Sequence, residues 1–179
     1  GSTYKPIVAM AALSAGAMTP HTRVHCSGAT SLGRHVFHCW KRGGHGTVDL
    51  AKSLTESCDV FYYDVAQKVG IDAIAAMGRR FGLGERPDLP MSAISAGTMP
   101  DKAWKRERYD LEWRVGDTIN ASIGQGYVLA TPLQLAVMTA RIATGRAVVP
   151  RLVRMIDGQE MPVAEASQEK IMRAIVTSH

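Results

Sequence analysis

Helices dominate the pattern of this chain, and three stretches carry that expectation. Residues 7–18 (IVAMAALSAGAM) are apolar almost without interruption, the composition of a helix buried on all sides. Residues 48–69 space Leu50, Leu54, Val60, Phe61 and Val65 at helical intervals, with a break at residues 57–59. Thr131-Pro132 offers an N-cap followed by Pro at the first helical position, and Gly145 ends the run that follows. The expected class is mainly α.

The elements follow in order. A helix is expected over residues 2–18, with Pro6 in its first turn, where a missing N–H costs little. Residues 20–46 are rich in Gly, His and Ser with little periodicity, and read as loop. Residues 48–69 and 71–81 read as helices, and Gly82-x-Gly84 stops the second. Pro87, Pro90 and Gly97 make residues 85–98 a loop. Residues 100–109 read as a short charged helix, and residues 131–144 as a capped one. Residues 147–155 are β-branched and basic, enough for one short strand, and residues 166–176 suit a last amphipathic helix.

Composition narrows the function classes. A chain of 179 residues with 46% apolar content fits one domain with a core. No run reaches about 18 apolar residues, so no membrane-spanning helix is expected, and no signal peptide is visible. The net charge of +5 reads first as an ordinary solvated basic surface, and second as a surface for an anionic polymer or nucleic acid. Lys102, Lys105, Arg106 and Arg108 with Trp104 read as a solvated helix face rather than a nucleic-acid patch, so no nucleic-acid partner is expected.

The residues with chemistry to offer lie mostly in the first third. Ser2-Thr-Tyr-Lys5 sets a hydroxyl and an amine at i and i+3, on one helix face. A Ser hydroxyl becomes a nucleophile when a neighbouring base takes its proton, and an unprotonated amine can do so. Ser57-Cys58-Asp59 follows in the order of a serine acyltransferase whose third motif is a Lys-Thr-Gly strand. That third motif is absent. A second Ser-x-x-Lys, Ser167 to Lys170, reads as an ordinary helix start. Gly124-Gln125-Gly126 lacks the P-loop Lys and the dinucleotide spacing, and reads as a tight turn.

Cys26, Cys39, His45 and Cys58 have 12, 5 and 12 residues between them. By spacing alone they fit three buried small hydrophobes and a surface His. Three thiolates and one imidazole would also fill a tetrahedral zinc site.

Three long stretches resemble one family. GSTYKPIVAMAAL is similar to the nucleophile helix of class B penicillin-binding proteins. CWKRGGHGTVDLAKSLTESCDVFYYDVAQKVGID resembles the second-motif region of the penicillin-binding protein 2 branch, the cell-elongation transpeptidases. INASIGQGYVLATPLQLA resembles the Gly-Gln-Gly loop and following helix of that branch. The resemblance implies the helical part of a serine β-lactamase-like α/β transpeptidase domain, with most of the sheet outside this chain. It divides residues 1–179 into a nucleophile helix (2–18), a zinc-binding region (21–59) and a helical remainder (60–179).

The resemblance also implies roles. Ser2 would attack the D-Ala-D-Ala carbonyl of a peptidoglycan stem peptide, with Lys5 as general base. Ser57 would shuttle the proton to the leaving amine, and Asp59, where many relatives carry Asn, would orient Lys5. A second stem-peptide amine would resolve the acyl-enzyme, and β-lactams would be trapped at Ser2. The Ser2 N–H would be one oxyanion donor and the third-motif strand the other; losing one such donor costs about 10²–10³ in rate. A fragment without that strand is expected to be inactive. Structural zinc would sit on Cys26, Cys39, His45 and Cys58, with His21, His25, His35 and His38 as competitors for the first position. Membrane anchoring on the periplasmic side of the inner membrane and a glycosyltransferase partner of the elongation machinery are implied as well. A serine β-lactamase or β-lactam sensor, and a zinc-organised basic binding module, are the competing readings.

Overall fold

The computed structural model describes residues 1–161. The helix expected over residues 166–176 and the Ser167–Lys170 motif lie outside them. The chain divides into two compact units, one of Gly1–Met77 with Pro100–Val128, the other of Gly78–Met99 with the chain from Leu129 onward.

In the first unit Ser2–Tyr4 form one 3-10 turn that leads into helix α1, Lys5–Ser14. Ile7, Val8, Ala9, Met10, Ala11 and Ala12 are all buried, as an all-round apolar helix requires. The helix ends four residues before Met18. Gly16, at φ 65°, lets the Ala17 N–H reach the Ala12 carbonyl (2.9 Å) and its own N–H the Leu13 carbonyl (3.1 Å), the Schellman closure. Met18 is still buried. The apolar run therefore marked burial, and the glycine marked the helix end.

The stretch expected as loop holds strands. β1 (Val24–Cys26) pairs antiparallel with the later β4 (Gly46–Val48), and β2 (Ala29–Leu32) pairs with β3 (His35–His38). The glycines that read as breakers build the turns. Gly33 takes φ 59° in the two-residue connection from Leu32 to His35, where a primed hairpin turn needs it. Gly28, at φ 101°, lies so close to the returning chain that a Cβ would stand 2.0 Å from the Arg42 carbonyl oxygen. β2 and β3 mix exposed and half-buried positions, so no clean period of two betrays them.

Helix α2 (Leu50–Thr55) starts where the Asp49 carboxylate accepts from the Lys52 N–H at 2.9 Å. Helix α3 (Asp59–Val69) follows the expected break, and Gly70 ends it at φ 81°. Helices α4 (Ile71–Arg80) and α5 (Lys102–Tyr109) also fall where the pattern puts them. Helix α6 (Val115–Ser122) was not anticipated. Its Gly116, Asp117 and Asn120 are weak helix formers; packing of buried Ile119 and Ala121 against α3 compensates. α3 therefore lies between α1 and α6. On α5, Lys102, Arg106 and Arg108 are exposed, as the solvated-face reading expects, and Lys105 is the exception. It is buried, pairs with Asp117 at 2.6 Å and stands over the rings of Trp113 and Tyr127.

In the second unit, helix α7 (Pro132–Thr144) carries a full capping box: the Gln134 N–H donates to Thr131 Oγ1 (3.1 Å) and the Thr131 N–H to Gln134 Oε1 (2.9 Å). The Gln134 amide also donates to the Glu85 and Ala96 carbonyls at 2.8 and 2.7 Å, which ties down the 85–98 loop. The strand expected over residues 147–155 does not form. The Val148 carbonyl is taken by Arg141 Nε at 3.1 Å. Only β5 (Met155–Ile156) pairs, with β6 (Gln159–Glu160). Among the described residues no helix is long and apolar enough to cross a membrane.

Replacing Gly28 by Ala should destabilise the protein by more than about 1 kcal/mol, because Ala must adopt a positive φ and displace backbone. The expected readout is a thermal midpoint lower by at least about 2 °C. An unchanged midpoint would show that the turn at Gly28 tolerates a side chain.

Candidate active site and thiol cluster

The ammonium of Lys5 is the centre of the first site. It sits on the first residue of α1 with its side chain 2% exposed. A buried charge of this kind must be paired and hydrogen-bonded. Nζ donates to the Ser57 carbonyl (2.8 Å), to Ser57 Oγ (2.9 Å) and to Asp59 Oδ1 (2.6 Å). Those three acceptors use all three donors of a lysine ammonium. The Tyr62 ring, 5.4 Å away, adds a π face.

Asp59 opens α3 and is buried. Its second oxygen, Oδ2, accepts from the Trp40 backbone N–H at 3.0 Å. Both carboxylate oxygens are thus acceptors. An amide at this position has only one oxygen, so its NH₂ would face either Lys5 or the Trp40 N–H. That explains the carboxylate, where Asn is the common residue of the resembled motif.

Ser57 lies in the gap between α2 and α3 with φ 51°. A non-glycine residue in this region costs of order 1 kcal/mol or more, and persists only when neighbours hold it. Here the turn presents the Ser57 carbonyl and hydroxyl together to Lys5. Trp40 Nε1 donates to the Glu56 and Ser57 carbonyls at 3.1 Å each.

Ser2 is exposed on the 3-10 turn one step before Lys5. Its hydroxyl has no hydrogen bond to Lys5 or Ser57 among the described residues. The structure therefore gathers Lys5, Ser57 and Asp59, and leaves Ser2 open to solvent at the edge of the cluster. Gly124-Gln125-Gly126 forms a turn with φ 68° at Gly124 and 67° at Gly126. It backs onto the same 3-10 turn: a Cβ on Gly124 would stand 2.5 Å from the Gly1 carbonyl and 2.9 Å from Tyr4 Cβ.

Cys26, Cys39, His45 and Cys58 come together from β1, the residue after β3, the residue before β4, and the N-cap of α3. Their ligand atoms lie within 4.8 Å of one another, and all four residues are buried. His21, His25, His35 and His38 are exposed, whereas Cys26 is buried in the cluster. His45 Nδ1 is 3.6 Å from Cys26 Sγ and 3.5 Å from Cys39 Sγ. Its other nitrogen, Nε2, is buried without a hydrogen bond, 3.9 Å from the Glu56 carboxylate.

The thiols differ in proton affinity. Burial pushes Cys58 up to about 12, and its thiol neighbours add to the rise. Burial also raises Cys26, but N–H donors from His45 and Gly28 and the neighbouring thiols outweigh it and leave this thiol below its usual value.

Trp40 and Glu56 are the site residues that sequence reasoning missed. The position of Trp40 directly after a candidate ligand, Cys39, was the available signal.

The family described as penicillin binding protein transpeptidase domain matches residues 1–178. The chain belongs to the penicillin-binding protein transpeptidase family. Among its relatives is the peptidoglycan D,D-transpeptidase MrdA of Haemophilus influenzae, 39% identical over 160 residues, which cover 88% of this chain and 25% of that protein. MrdA of Escherichia coli K12 is 38% identical over 166 residues, 90% of this chain and 26% of the relative. The transpeptidase-family fold extends to solved structures. PBP2 of Pseudomonas aeruginosa, in complex with WCK 5153, superposes with a TM-score of 0.85 at 42% identity, covering 92% of this chain and 38% of that one. PBP2 of Helicobacter pylori, in complex with MreC, gives 0.83 at 34% identity over 90% and 30%. The chain thus spans about a quarter of the length of these curated relatives. The mainly α, partial-domain expectation agrees with these matches.

Replacing Asp59 by Asn should cost about 1–3 kcal/mol, because one buried donor loses its acceptor. The check is a denaturant midpoint that falls at constant slope. Equal stability would mean that the carboxylate is not needed at both oxygens.

Proposed function

We propose that this chain is the nucleophile-bearing part of a serine D,D-transpeptidase that cross-links peptidoglycan stem peptides and is acylated by β-lactams. The observation that carries the reading is the buried Lys5, held by Ser57 and Asp59 beside the exposed Ser2 hydroxyl. The MrdA relatives, named as peptidoglycan D,D-transpeptidases, support the substrate class.

Ser2 Oγ attacks the carbonyl of the penultimate D-Ala, and its proton passes to the Lys5–Ser57 pair. For Lys5 to accept it, the ammonium must first give up one of its three bonded protons; Asp59 Oδ1, at 2.6 Å, is the shortest route. Ser57 Oγ, bonded to the same nitrogen, relays a proton to the departing D-Ala amine. The amine of a second stem peptide then attacks the Ser2 ester, forms the cross-link and frees Ser2. With a β-lactam the same ester forms, and the opened ring stays attached. The long match to transpeptidases favours this reading over a β-lactamase or sensor. The PBP2–MreC complex and a peptidoglycan synthase complex among the similar structures support assembly with other cell-wall synthesis proteins; the work of such an assembly on peptidoglycan would place it at the periplasmic side of the inner membrane.

We also propose structural zinc at Cys26, Cys39, His45 and Cys58. Zinc with sulfur at about 2.3 Å and nitrogen at about 2.0–2.1 Å sets the two about 3.6 Å apart along a tetrahedral edge. The 3.5 and 3.6 Å separations here fit that edge. Glu56 stands near the orphaned His45 Nε2, where a metal-bound imidazole needs an acceptor for its other N–H. The metal would supply a rigid tie to Cys58, between the two motif residues, rather than chemistry.

The whole protein should be labelled at Ser2 by a penicillin, seen as an adduct mass, and Ser2→Ala should abolish the label. Labelling that survives Ser2→Ala removes the nucleophile. Slow adduct loss fits a transpeptidase; fast turnover fits a lactamase.

Native mass spectrometry should find one zinc per chain, and Cys58→Ala should lose it and slow acylation. Zinc affinity should rise about tenfold per pH unit near neutrality for each thiol proton expelled. Cys58, held protonated far above neutral pH in the metal-free fold, supplies at least one such proton. Affinity independent of pH in a chelator competition rules out Cys58 as a ligand.

A further inference from the structure

We infer that Trp40 is a positioning residue for the Ser57–Asp59 motif, acting through two separate hydrogen-bond donors, and this rests on the transpeptidase reading above. Trp40 is 64% exposed, so burial of its ring does not account for it. Its polar atoms nevertheless face inward. The backbone N–H meets Asp59 Oδ2 at 3.0 Å. The indole Nε1–H meets the carbonyls of Glu56 and Ser57 at 3.1 Å.

The consequence lies at one oxygen atom. The Ser57 carbonyl accepts from Lys5 Nζ and from Trp40 Nε1, which together use its two lone pairs. Ser57 holds a positive φ, a conformation that needs outside support. The local backbone closes the end of α2, with the Cys58 N–H on the Ser53 carbonyl at 3.0 Å and the Ser57 N–H on the Leu54 carbonyl at 3.4 Å, but these bonds do not reach the Ser57 carbonyl. Among the described residues the indole is thus the donor that holds the Ser57 carbonyl without drawing on Lys5. Without it the Ser57 carbonyl depends on the ammonium alone, and Lys5 is less free to turn from that carbonyl toward Ser2. The backbone N–H meanwhile fixes the plane of the Asp59 carboxylate, so Oδ1 points at Lys5.

Trp40 also touches the thiol cluster. It follows Cys39 directly, and its ring lies edge-on to His45 at 5.4 Å. One residue therefore connects the cluster, the strained serine and the carboxylate.

The test compares single-turnover acylation by a fluorescent penicillin in the whole protein and in its Trp40→Phe variant, which keeps a ring and the backbone N–H but lacks the indole donor. A lost hydrogen bond of this type predicts a limiting acylation rate about five- to tenfold lower. The dissociation constant of the pre-covalent complex and the zinc content should be unchanged, which separates positioning from a general loss of structure. Should Trp40→Phe lose zinc or fold poorly, benzothienylalanine at position 40, the same shape with sulfur for N–H, gives the same comparison. A full acylation rate in a folded donor-less variant overturns the inference and leaves the transpeptidase reading standing. A wild-type protein that no penicillin labels at Ser2 overturns both.

Discussion

The buried ammonium of Lys5 is the constraint on which the first unit is organised. A charge taken out of water costs several kcal/mol and survives only among well-placed acceptors. Helix α1 cannot provide them, because its own residues are apolar on every side. They come instead from the gap between α2 and α3, far along the chain. That gap must therefore stay open, with a residue at positive φ and a carboxylate at the head of the next helix. The break in helical periodicity at residues 57–59 is the trace of this demand in the sequence.

Not every part of this arrangement was legible in the sequence. Lys5, Ser57 and Asp59 could be read as a set because the long stretches around them resemble one family; the short triplets alone are too common to mark a site. The four metal-ligating candidates came from the same resemblance, since their spacing alone fits buried small hydrophobes; the structure brings the four together and leaves the competing histidines exposed. Helices with caps, such as α7, announce their own ends. The strands between residues 24 and 48 did not. Their glycines serve as hairpin turns, yet in a sequence a turn glycine and a loop glycine look alike. Helix α6 was hidden for the opposite reason: its local propensity is poor, and its stability comes from the helix it packs on. Trp40 escaped notice because its role is played by donors, and nothing in the spacing says where an indole N–H points.

The carboxylate at position 59 follows from the same geometry. Its two partners, the Lys5 ammonium and the Trp40 N–H, are both donors. Only a group with two acceptor oxygens satisfies both, whereas an amide must turn its NH₂ against one of them. The choice of Asp over Asn is thus tied to the chain that follows β3, where Trp40 lies, and not to Lys5 alone.

The thiol cluster and the Ser57–Asp59 motif are interleaved rather than adjacent. Cys58 stands between Ser57 and Asp59, and Cys39 precedes the residue whose two donors hold both of them. Cys58 is also the N-cap of α3, where the Phe61 N–H favours its thiolate but makes no full capping hydrogen bond. A thiol at that position gives up the stabilisation that Ser, Asp or Asn would supply, about 1 kcal/mol. The loss is understandable if the sulfur is committed elsewhere, and it lies within 4.8 Å of the other three ligand atoms. A bond from Cys58 to a metal would then restrain the helix start more firmly than a cap could. It would also fix the strained Ser57 from the C-terminal side, while Trp40 and Lys5 hold its carbonyl. The backbone closes the serine turn through the Cys58 N–H on the Ser53 carbonyl, and Trp40 and Lys5 add the hold on the carbonyl that this closure leaves out.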